Sequence, residues 1–286
     1  MRGETEQLFP DQQTERITMF CDLRNSTEIL MNFEEGRFDG LASPSEEDVS
    51  YGGFIRDVHE TSYQELYLGD EHTYAEIYGD GVMGIFPHDN TRYLVGNLYR
   101  LTKRMRRYND ALTPERVGLT IDIGFGITVG LVAFTRYPFD DRVHPVGQCI
   151  HAAARIEALS KVYGARVLIS ETFFNFAKGI IATDPRFSHR FVDRIVLKGF
   201  RKPTNLFEIL IDNDPRFPLK RDSRELYGQA VAKFQSRDWA GAGRLFDQVT
   251  KEFGLEMGAI MSSRCAIFAA HPPEPGWDRA WRMSYR

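Results

Sequence analysis

The chain has 286 residues, of which 42% are hydrophobic and 27% are charged, and its formal net charge is −4 at pH 7. These values are ordinary for a folded globular protein and exclude wholesale disorder. The small negative charge excludes a general basic surface for nucleic acid, so we expect no nucleic-acid partner. The length allows one large domain and a smaller accessory segment.

The sequence gives no indication of disulfides, zinc or membrane spans. Its three cysteines, Cys21, Cys149 and Cys265, are widely spaced and form no Cys-x-x-Cys pair. This pattern predicts neither a disulfide framework nor a zinc site. Residues 1–15 are polar and do not resemble a signal peptide, and no apolar run is long enough to span a bilayer. We expect an N-terminal arm over 1–15, a cytoplasmic location and no membrane span.

Strand and helix patterns alternate through the first part of the chain. Asp22 ends the first strand, and Asn25, Ser26 and Thr27 offer N-cap side chains for the helix that follows. A Gly-Asp-Gly turn centred on Asp80 joins two apolar runs, which predicts a β-hairpin. We predict strands at 16–21, 74–78 and 82–86, and helices at 28–33, 54–66 and 91–110.

The alternation continues to about residue 212 and then stops. We predict strands at 119–126, 165–169, 191–197 and 205–211, with 127–134 either continuing the first of these strands or pairing with it. We also predict helices at 151–159 and 170–177 and a loop or hairpin tip at 135–142. Interleaved strands and helices predict an α+β fold. Residues 222–270 are helical in pattern, with a break near 236–238, so the segment 216–286 is expected to be a helical extension that resembles one tetratricopeptide-like hairpin.

Asp22 and Asp80 are the strongest candidates for metal ligands. Carboxylates at strand ends, together with a backbone carbonyl such as that of Leu23, form the hard-oxygen site that Mg²⁺ or Mn²⁺ prefers. The backbone N–H groups around Asn25, Ser26 and Thr27 suit terminal phosphates because they lie at a helix N-terminus. Taken one at a time, Asp22 and Asp80 are better explained as a helix cap and a turn residue.

A series of segments in the right order resembles the class III nucleotide cyclases, the family of adenylate and guanylate cyclases. Residues 17–27 resemble the first metal motif, 76–86 the second, and 124–130 the central strand and turn. Residues 146–157 resemble the transition-state helix, and 197–199 the phosphate-side element. Each motif alone is weak, whereas the ordered series over residues 16–212 is specific.

The resemblance implies a ferredoxin-like βαββαβ domain over 16–212 that works as a homodimer with two composite active sites. It implies two Mg²⁺ or Mn²⁺ ions per site, held by Asp22, the Leu23 carbonyl and Asp80. The ribose 3′-oxygen of a nucleoside triphosphate would attack the α-phosphorus and release pyrophosphate. Arg155 would stabilise the developing charge; without the resemblance, it would be interpreted as a solvated helix cation.

The chain departs from the family pattern at the ribose and phosphate positions. His151 stands where the family usually has an asparagine that orients the ribose. Phe200 follows Gly199 where a second lysine is common, so either Lys198 or Arg201 is expected to hold the phosphates.

The base-reading positions implied by the resemblance are Glu76 and His144, a pair that matches neither adenylate nor guanylate cyclases. Glu76 accepts a hydrogen bond and His144 can donate one. That pair suits an edge with N–H beside C=O, which guanine and uracil present and adenine and cytosine do not. The unusual positions also resemble the pyrimidine cyclases of antiphage signalling. UTP, giving cyclic UMP for a separate effector protein, is therefore the leading hypothesis, with GTP, CTP and ATP as alternatives.

Three other classes of protein fit the sequence less well. A catalytically inactive nucleotide-binding module would not need Asp22, Asp80 and Arg155 together. A diguanylate cyclase would carry a Gly-Gly-[Asp/Glu]-Glu-Phe turn, which is absent from the sequence. An RNA-binding ferredoxin-like domain would need exposed strand aromatics and a basic surface.

Overall fold

The computed structural model describes residues 12–35, 51–66, 73–111 and 122–283. The strands are β1 (Thr14–Leu23), β2 (Tyr74–Tyr78), β3 (Gly81–Pro87), β4 (Ile123–Tyr137), β5 (Asp140–Val146), β6 (Val167–Ser170), β7 (Phe187–Val196), β8 (Thr204–Ile211) and β9 (Trp281–Arg282). The helices are α1 (Ser26–Glu34), α2 (Tyr51–Leu66), α3 (Thr91–Ala111), α4 (Gln148–Val162), α5 (Glu171–Thr183), α6 (Phe217–Asp222), α7 (Arg224–Gln235), α8 (Trp239–Phe253) and α9 (Glu256–Ala270), with a 3₁₀ turn at His88–Asn90.

The strands form one sheet in the order β2-β3-β1-β4-β6-β8-β7-β9, and β5 pairs with β4 outside this path. The first four strands of the path are antiparallel neighbours, and β4 pairs with β6 in parallel. The order β2-β3-β1-β4, with helices before β2 and between β3 and β4, is the ferredoxin-like βαββαβ arrangement. The predicted α+β fold is therefore confirmed.

Alternation along β1 determines which side of the sheet receives which helix. Ile17, Met19 and Cys21 are buried in one apolar cluster together with residues of α2, α3 and α5. The intervening Thr18 points to the other side, where its hydroxyl contacts the Cys149 sulfur of α4 at 3.5 Å. The sheet thus carries α2, α3 and α5 on one face and α4 on the other.

Glycines along one face of β4 provide the surface on which α4 packs. A Cβ atom on Gly126 would lie 2.1 Å from the Glu157 nitrogen and 2.4 Å from the Ala153 carbonyl oxygen. A Cβ atom on Gly130 would lie 2.8 Å from that of Cys149. Any larger residue at these positions would push the helix away from the sheet, so Gly126 and Gly130 allow the close approach of α4.

The segment 124–130 was predicted to be a strand and turn, and the turn is wrong. Strand β4 continues without interruption to Tyr137, and the reversal comes at residues 138–139 in the β4–β5 hairpin. The glycines at this segment serve close helix packing rather than chain reversal, which a strand pattern alone does not distinguish.

The C-terminal segment forms one core with the sheet. Tyr227, Phe234 and Phe246 share an apolar cluster with Ile156 of α4 and Val192 of β7. The predicted helical hairpin corresponds to α7 and α8, and α9 extends it. Strand β9 then adds to the edge of the main sheet beside β7.

A buried polar network joins the last long helix, α9, to β7 and to the end of α4. Arg264 of α9 forms an ion pair with Asp193 of β7 and donates a hydrogen bond to the Tyr163 hydroxyl, 2.9 Å away, just after α4. The Tyr163 hydroxyl in turn donates to Asp193. The C-terminal helices therefore support the end of α4.

Other sequence expectations concern the chain ends, the loops and the cysteines. Strand β1 begins at Thr14, inside the predicted arm, whereas residues 1–11 and most of the acidic 34–52 segment lie outside the described residues. The three cysteines are buried and free. No helix in the described ranges combines the length and the apolar character needed to cross a membrane.

Candidate active site

Asp22 and Asp80 lie side by side where β1 meets the β2–β3 turn. Cys21 pairs with Val82 across β1 and β3, which places Asp22 next to Gly81. A Cβ atom on Gly81 would lie only 3.1 Å from the Asp22 Oδ1 atom, so the absence of a side chain there leaves room for the carboxylate. The turn requires Gly79 to adopt a positive φ of 61°, which glycine accommodates without steric cost.

A third carboxylate, that of Glu157 on α4, adjoins this pair. The Glu157 side chain is buried, and Oε1 would lie 3.0 Å from a Cβ atom on Gly124, the residue paired with Asp22 across β1 and β4. Burial raises the pKa of Glu157, and the negative charges of Asp22 and Asp80 raise it further. We call Asp22, Asp80 and Glu157 the carboxylate cluster.

Two oxygens of the carboxylate cluster are buried without a hydrogen-bond partner among the described residues: Asp80 Oδ2 and Glu157 Oε1. A buried, unpaired carboxylate oxygen is costly, and it is a common mark of a site that receives a ligand. The donor set is oxygen only, which fits Mg²⁺ or Mn²⁺. The residues present therefore fit the expected metals.

The cluster does not by itself enclose an ion. Within the described ranges, no group of three or more His, Cys, Asp or Glu side chains has an arrangement that could hold a metal. Mg²⁺ commonly binds through one or two carboxylates and completes its shell with water and substrate phosphates. A site of that open type would need only the two carboxylates of Asp22 and Asp80 from the protein.

Cations border the cluster on two sides. Lys161 of α4 donates to Asp22 Oδ2 at 3.0 Å. Arg24 donates to the Ser160 hydroxyl at 3.3 Å and lies 3.7 Å from Asp122 Oδ2. Partial burial alone would lower the pKa of Lys161, but the hydrogen bond to Asp22 and the charges of Asp22 and Glu157 raise it above its usual value.

The start of α1 differs from the predicted cap. Asn25 is the N-cap residue, in a left-handed conformation with φ 58°, and its side chain makes no capping hydrogen bond. Asparagine tolerates this conformation better than most residues. Ser26 and Thr27 form the first turn of α1, directly after the Asp22–Leu23 strand end. Asn25, Ser26 and Thr27 thus lie at the N-terminus of α1, and their binding to phosphates stays a prediction.

Arg155 and His151 do not lie at the carboxylate cluster of their own chain. Both side chains are exposed on α4. No hydrogen bond or ion pair between described residues connects either of them to Asp22 or Asp80. The C-terminal half of α4 faces Asp22, which pairs with Gly124 of β4. The N-terminal half of α4 packs near Gly130, six residues after Gly124. Within one chain, Arg155 and His151 therefore lie apart from Asp22 and Asp80.

Glu76 is held firmly at one wall of a large cavity. Its Oε2 atom accepts hydrogen bonds from the hydroxyls of Tyr74 and Tyr78, each at 2.8 Å. The three residues alternate along β2 and so share one face. Burial raises the pKa of Tyr78 to about 12, and the hydrogen bond to Glu76 contributes. Both phenols therefore remain donors at neutral pH, and one carboxylate oxygen of Glu76 is already satisfied.

The cavity beside Glu76 has a volume of about 850 Å³ and lies between α2 and β2. Its polar lining includes Arg142, Arg56 and His59 besides Glu76. Arg142 also makes a bidentate pair with Asp140, at 3.1 Å and 2.9 Å, and this pair holds the pKa of Asp140 far below its usual range. The structure thus places Arg142 in the same cavity lining as the predicted base-reading carboxylate.

His144 is already engaged by an acidic neighbour. Its Nε2 atom lies 3.0 Å from Asp140 Oδ2, and Tyr137 packs against the imidazole at 5.3 Å between ring centroids. Because the ionised Asp140 can only accept, Nε2 must carry the proton. In the neutral tautomer Nδ1 is then an acceptor, so His144 donates through Nδ1 only when the ring is charged.

The phosphate-side loop places a different lysine at a cavity. A cavity of about 530 Å³ lies between β4, the start of α4 and the β7–β8 loop, and its lining includes Lys202 but neither Lys198 nor Arg201. Phe200 is partly buried against the apolar cluster below the loop. Lys202 was missed because the sequence motif centres on Lys198 and Gly199.

The chain has the fold of the class III nucleotide cyclases, and its two candidate metal aspartates lie at a strand end and at the adjoining hairpin turn. The structure of the adenylyl cyclase CyaB from P. aeruginosa matches with a TM-score of 0.52 at 18% identity, over 71% of this chain and 97% of that one. A bacterial light-regulated adenylyl cyclase matches with a TM-score of 0.53 at 12% identity, over 69% of this chain and 52% of that one. At these identities the likeness concerns the fold alone.

Sequence relatives lead to the same class. An adenylate cyclase of Anabaena cylindrica is 28% identical over 208 residues, which cover 68% of this chain and 37% of the relative. A terminal-differentiation-specific adenylate cyclase of Dictyostelium discoideum is 28% identical over 136 residues, 46% of this chain and 6% of the relative. The chain spans little more than a third of the length of the first relative and a small part of the second. No protein-family model matches the chain. The resemblance to the class III nucleotide cyclases is confirmed.

Proposed function

We propose that this chain is a nucleotide cyclase that converts a nucleoside triphosphate into its 3′,5′-cyclic monophosphate and pyrophosphate. The observation that carries the proposal is the contact of Asp22 with the Gly81 turn, next to the unpaired, buried Oδ2 atom of Asp80. The sequence relatives named as adenylate cyclases support the same reaction.

The active form is a homodimer with two composite sites. Asp22 and Asp80 of one subunit meet the partner subunit's Arg155 and His151, because one chain keeps these pairs apart. The dimer surface includes exposed apolar side chains of the β4–β5 hairpin and its base, among them Leu131 (54% exposed), Phe139 (85%) and Val146 (52%). A two-fold arrangement generates both sites from one isologous interface.

The reaction needs positioning and charge stabilisation rather than a covalent intermediate. Two Mg²⁺ or Mn²⁺ ions, when bound, supply Lewis acidity to the ribose 3′-hydroxyl and neutralise the triphosphate. Asp22, Asp80 and the Leu23 carbonyl would hold these ions. The first-turn N–H groups at Ser26 and Thr27 bind phosphate oxygens at the positive end of α1.

The chemical step breaks one bond and forms one. The ribose 3′-oxygen attacks the α-phosphorus, its proton passes to solvent, and the bond from the α-phosphorus to the bridging oxygen breaks as pyrophosphate leaves. The partner subunit's Arg155 stabilises the charge on the α-phosphate, and its His151 hydrogen-bonds to the ribose. Lys198, Arg201 and Lys202 lie on the loop that supplies cations to the leaving pyrophosphate.

UTP is the substrate that we propose first, with GTP as the alternative. Glu76 accepts and Arg142 donates in the same cavity, a pair complementary to an edge with N–H beside C=O. Uracil and guanine both present that edge. The departures at His144 and His151 from the purine cyclase pattern favour uracil. Cyclic UMP would act as a second messenger for a separate effector protein in antiphage defence.

The deciding experiment is incubation of the protein with each of the four triphosphates and Mn²⁺, followed by identification of the product. Wild type should release pyrophosphate and one dominant cyclic nucleotide, and Asp80→Ala should release neither. Cyclic GMP or cyclic AMP as the main product would refute the pyrimidine assignment. No product from any triphosphate would refute the cyclase itself.

The signalling role needs a separate test in cells. Cyclic UMP should rise after phage infection in cells that carry wild type, and the plating efficiency of the phage should fall. Cells that carry Asp80→Ala should show neither change. Equal plating on both strains would exclude the antiphage role but leave the enzyme activity in place.

A further inference from the structure

Lys161 is the cation closest to the proposed metal ligands within the described part of the chain. It lies in the last turn of α4, and its Nζ atom is 3.0 Å from Asp22 Oδ2. This contact joins residues 139 positions apart, so the fold rather than local sequence creates it. None of the expectations drawn from the motifs used this lysine.

The surroundings of Lys161 differ from those of an ordinary surface ion pair. The charges of Asp22, Glu157 and Asp80 all act on its ammonium group, so a single lysine faces the whole carboxylate cluster. Glu157 lies one helical turn earlier on the same helix and is only 7% exposed. In the pair Lys233–Asp238, by contrast, both side chains are about half exposed to solvent.

The cluster has a second cation, but that one is committed elsewhere. Arg24 donates to the Ser160 hydroxyl and to the Ala165 carbonyl and lies near Asp122. These contacts hold the guanidinium against the loop after α4. Lys161, whose side chain is 46% exposed and reaches Asp22 alone by hydrogen bond, is the cation that is free to withdraw into solvent.

We propose that Lys161 occupies the cation position of the carboxylate cluster in the metal-free protein and that metal binding displaces it. This inference rests on the proposed function, since it concerns the same metal site. An ammonium group and a divalent ion compete for the same Asp22 oxygen because neither tolerates the other at that distance. In the metal-free protein, Lys161 partly neutralises the negative charge of the carboxylate cluster.

The Lys161 contact affects how tightly the site binds a divalent ion. The carboxylates lose their counter-ion only when a divalent ion replaces it, so the affinity for free metal is lowered by the strength of the Lys161 contacts. Lysine suits this task because its flexible stem lets the charged head move into water at small cost. Metal delivered together with a triphosphate gains extra phosphate ligands and displaces Lys161 more easily.

The test is a Mn²⁺ titration of the nucleotide-free full chain, with free Mn²⁺ measured by electron paramagnetic resonance. Lys161→Met removes the charge and keeps the apolar stem. We expect Mn²⁺ to bind this variant about two- to fivefold more tightly than wild type, the range that corresponds to a half-exposed ion pair. Lys161→Arg keeps a cation and should remain within about twofold of wild type.

Matched variants separate this effect from general changes of charge. Lys178→Met removes an exposed lysine of α5, whose Nζ donates to Asn175 Oδ1, and should leave the Mn²⁺ affinity unchanged. Asp22→Asn should weaken Mn²⁺ binding. Circular dichroism of each variant checks that it is folded, and Lys161→Gln provides a second neutral replacement if the methionine variant does not fold.

Equal or weaker Mn²⁺ binding by the neutral Lys161 variants would overturn the proposal, and so would the absence of Mn²⁺ binding from all proteins. The binding measurement needs no turnover, so it stands apart from the product assay. If Lys161→Met binds Mn²⁺ more tightly but wild type forms no cyclic product, the cyclase assignment is refuted and this inference stands. Cyclic product with unchanged Mn²⁺ affinity in the variant would refute this inference alone.

Discussion

Two buried acidic regions of this molecule differ in how their charges are compensated. Glu208 of β8 is 1% exposed and is bound by Arg190 and Lys220 at 2.6 Å and 2.7 Å, and Lys220 also reaches Asp214 at 3.1 Å. In the carboxylate cluster, by contrast, Asp80 Oδ2 and Glu157 Oε1 are buried without a partner. The first region pairs both of its carboxylates, although Arg190 Nη1 has no partner among the described residues, whereas the second leaves carboxylate oxygens for a ligand to bind.

The difference separates carboxylates that stabilise the fold from carboxylates that are available to a ligand. A fully paired carboxylate stabilises the fold only together with its partners, and removing one member leaves the others buried and unpaired. A carboxylate without partners destabilises the fold slightly and is retained for its ligand. Substitutions in the two regions should therefore act on different properties: stability for the Glu208 network and activity for the carboxylate cluster.

The largest expected effect is the loss of activity in Asp80→Asn. Because this carboxylate is one of two proposed metal ligands, product formation should fall by at least about a thousandfold. The melting temperature should stay equal or rise, since an unpaired buried charge is removed. Asp89→Asn changes an exposed aspartate in the 3₁₀ turn and should retain activity. A strongly destabilised Asp80→Asn protein would contradict the distinction between the regions.

The next largest effect is expected for Glu208→Gln. Removing one partner of a buried ion pair costs about 3–5 kcal/mol of unfolding free energy, because Arg190 and Lys220 remain buried. Urea denaturation followed by circular dichroism measures this loss. Glu225→Gln, at an exposed position in the first turn of α7, should change stability by no more than about 0.5 kcal/mol. A loss of similar size in both variants would show that the network is not special.

The Glu208 network should also make stability depend on acid. Burial alone would raise the pKa of Glu208, but Arg190 and Lys220 outweigh it and lower the pKa below its ordinary value of 4.5. A lowered pKa means that the unfolded chain binds the proton more readily, so stability is present above about pH 4.5 and is lost as the pH falls through the folded-state pKa.

Denaturation curves of wild type between pH 7 and about pH 3 measure this dependence. Wild type should lose more stability over that range than Glu208→Gln, whose side chain does not titrate. Parallel curves for the two proteins would show that other carboxylates account for the acid sensitivity.

The smallest effect is expected at the hydrogen bonds that hold Glu76. Tyr78→Phe removes one of the two phenol donors and should raise the KM for the preferred triphosphate about two- to tenfold while kcat stays nearly constant, since a hydrogen bond contributes about 0.5–1.5 kcal/mol. Tyr93→Phe on α3, outside the cavity, is the control. An equal change in KM for all four triphosphates would argue against a base-reading role for Glu76.

Some features of this chain are readable from local sequence because they depend on neighbouring residues only. The Gly-Asp-Gly turn between β2 and β3 is one, since it needs a positive φ at Gly79 flanked by apolar runs. The end of β1 at Asp22 and Leu23 and the start of α1 after Asn25 are others. The candidate metal aspartates were found because each belongs to such a local pattern.

Other features depend on contacts between distant segments, so only the tertiary structure decided them. The glycines of β4 gave a strand pattern, but their packing against α4 brings Glu157 and Lys161 to Asp22. Arg142 lines the cavity beside Glu76 because of the direction of the β4–β5 hairpin, and Lys202 lines the second cavity because of the direction of the β7–β8 loop. Hydrophobic periodicity in the sequence does not predict these directions.

The sequence by itself determined the fold class and the candidate metal aspartates, because strand ends, helix starts and turn glycines are local patterns. The tertiary structure decided which charges meet, because helix packing sets the distances between residues far apart in the chain.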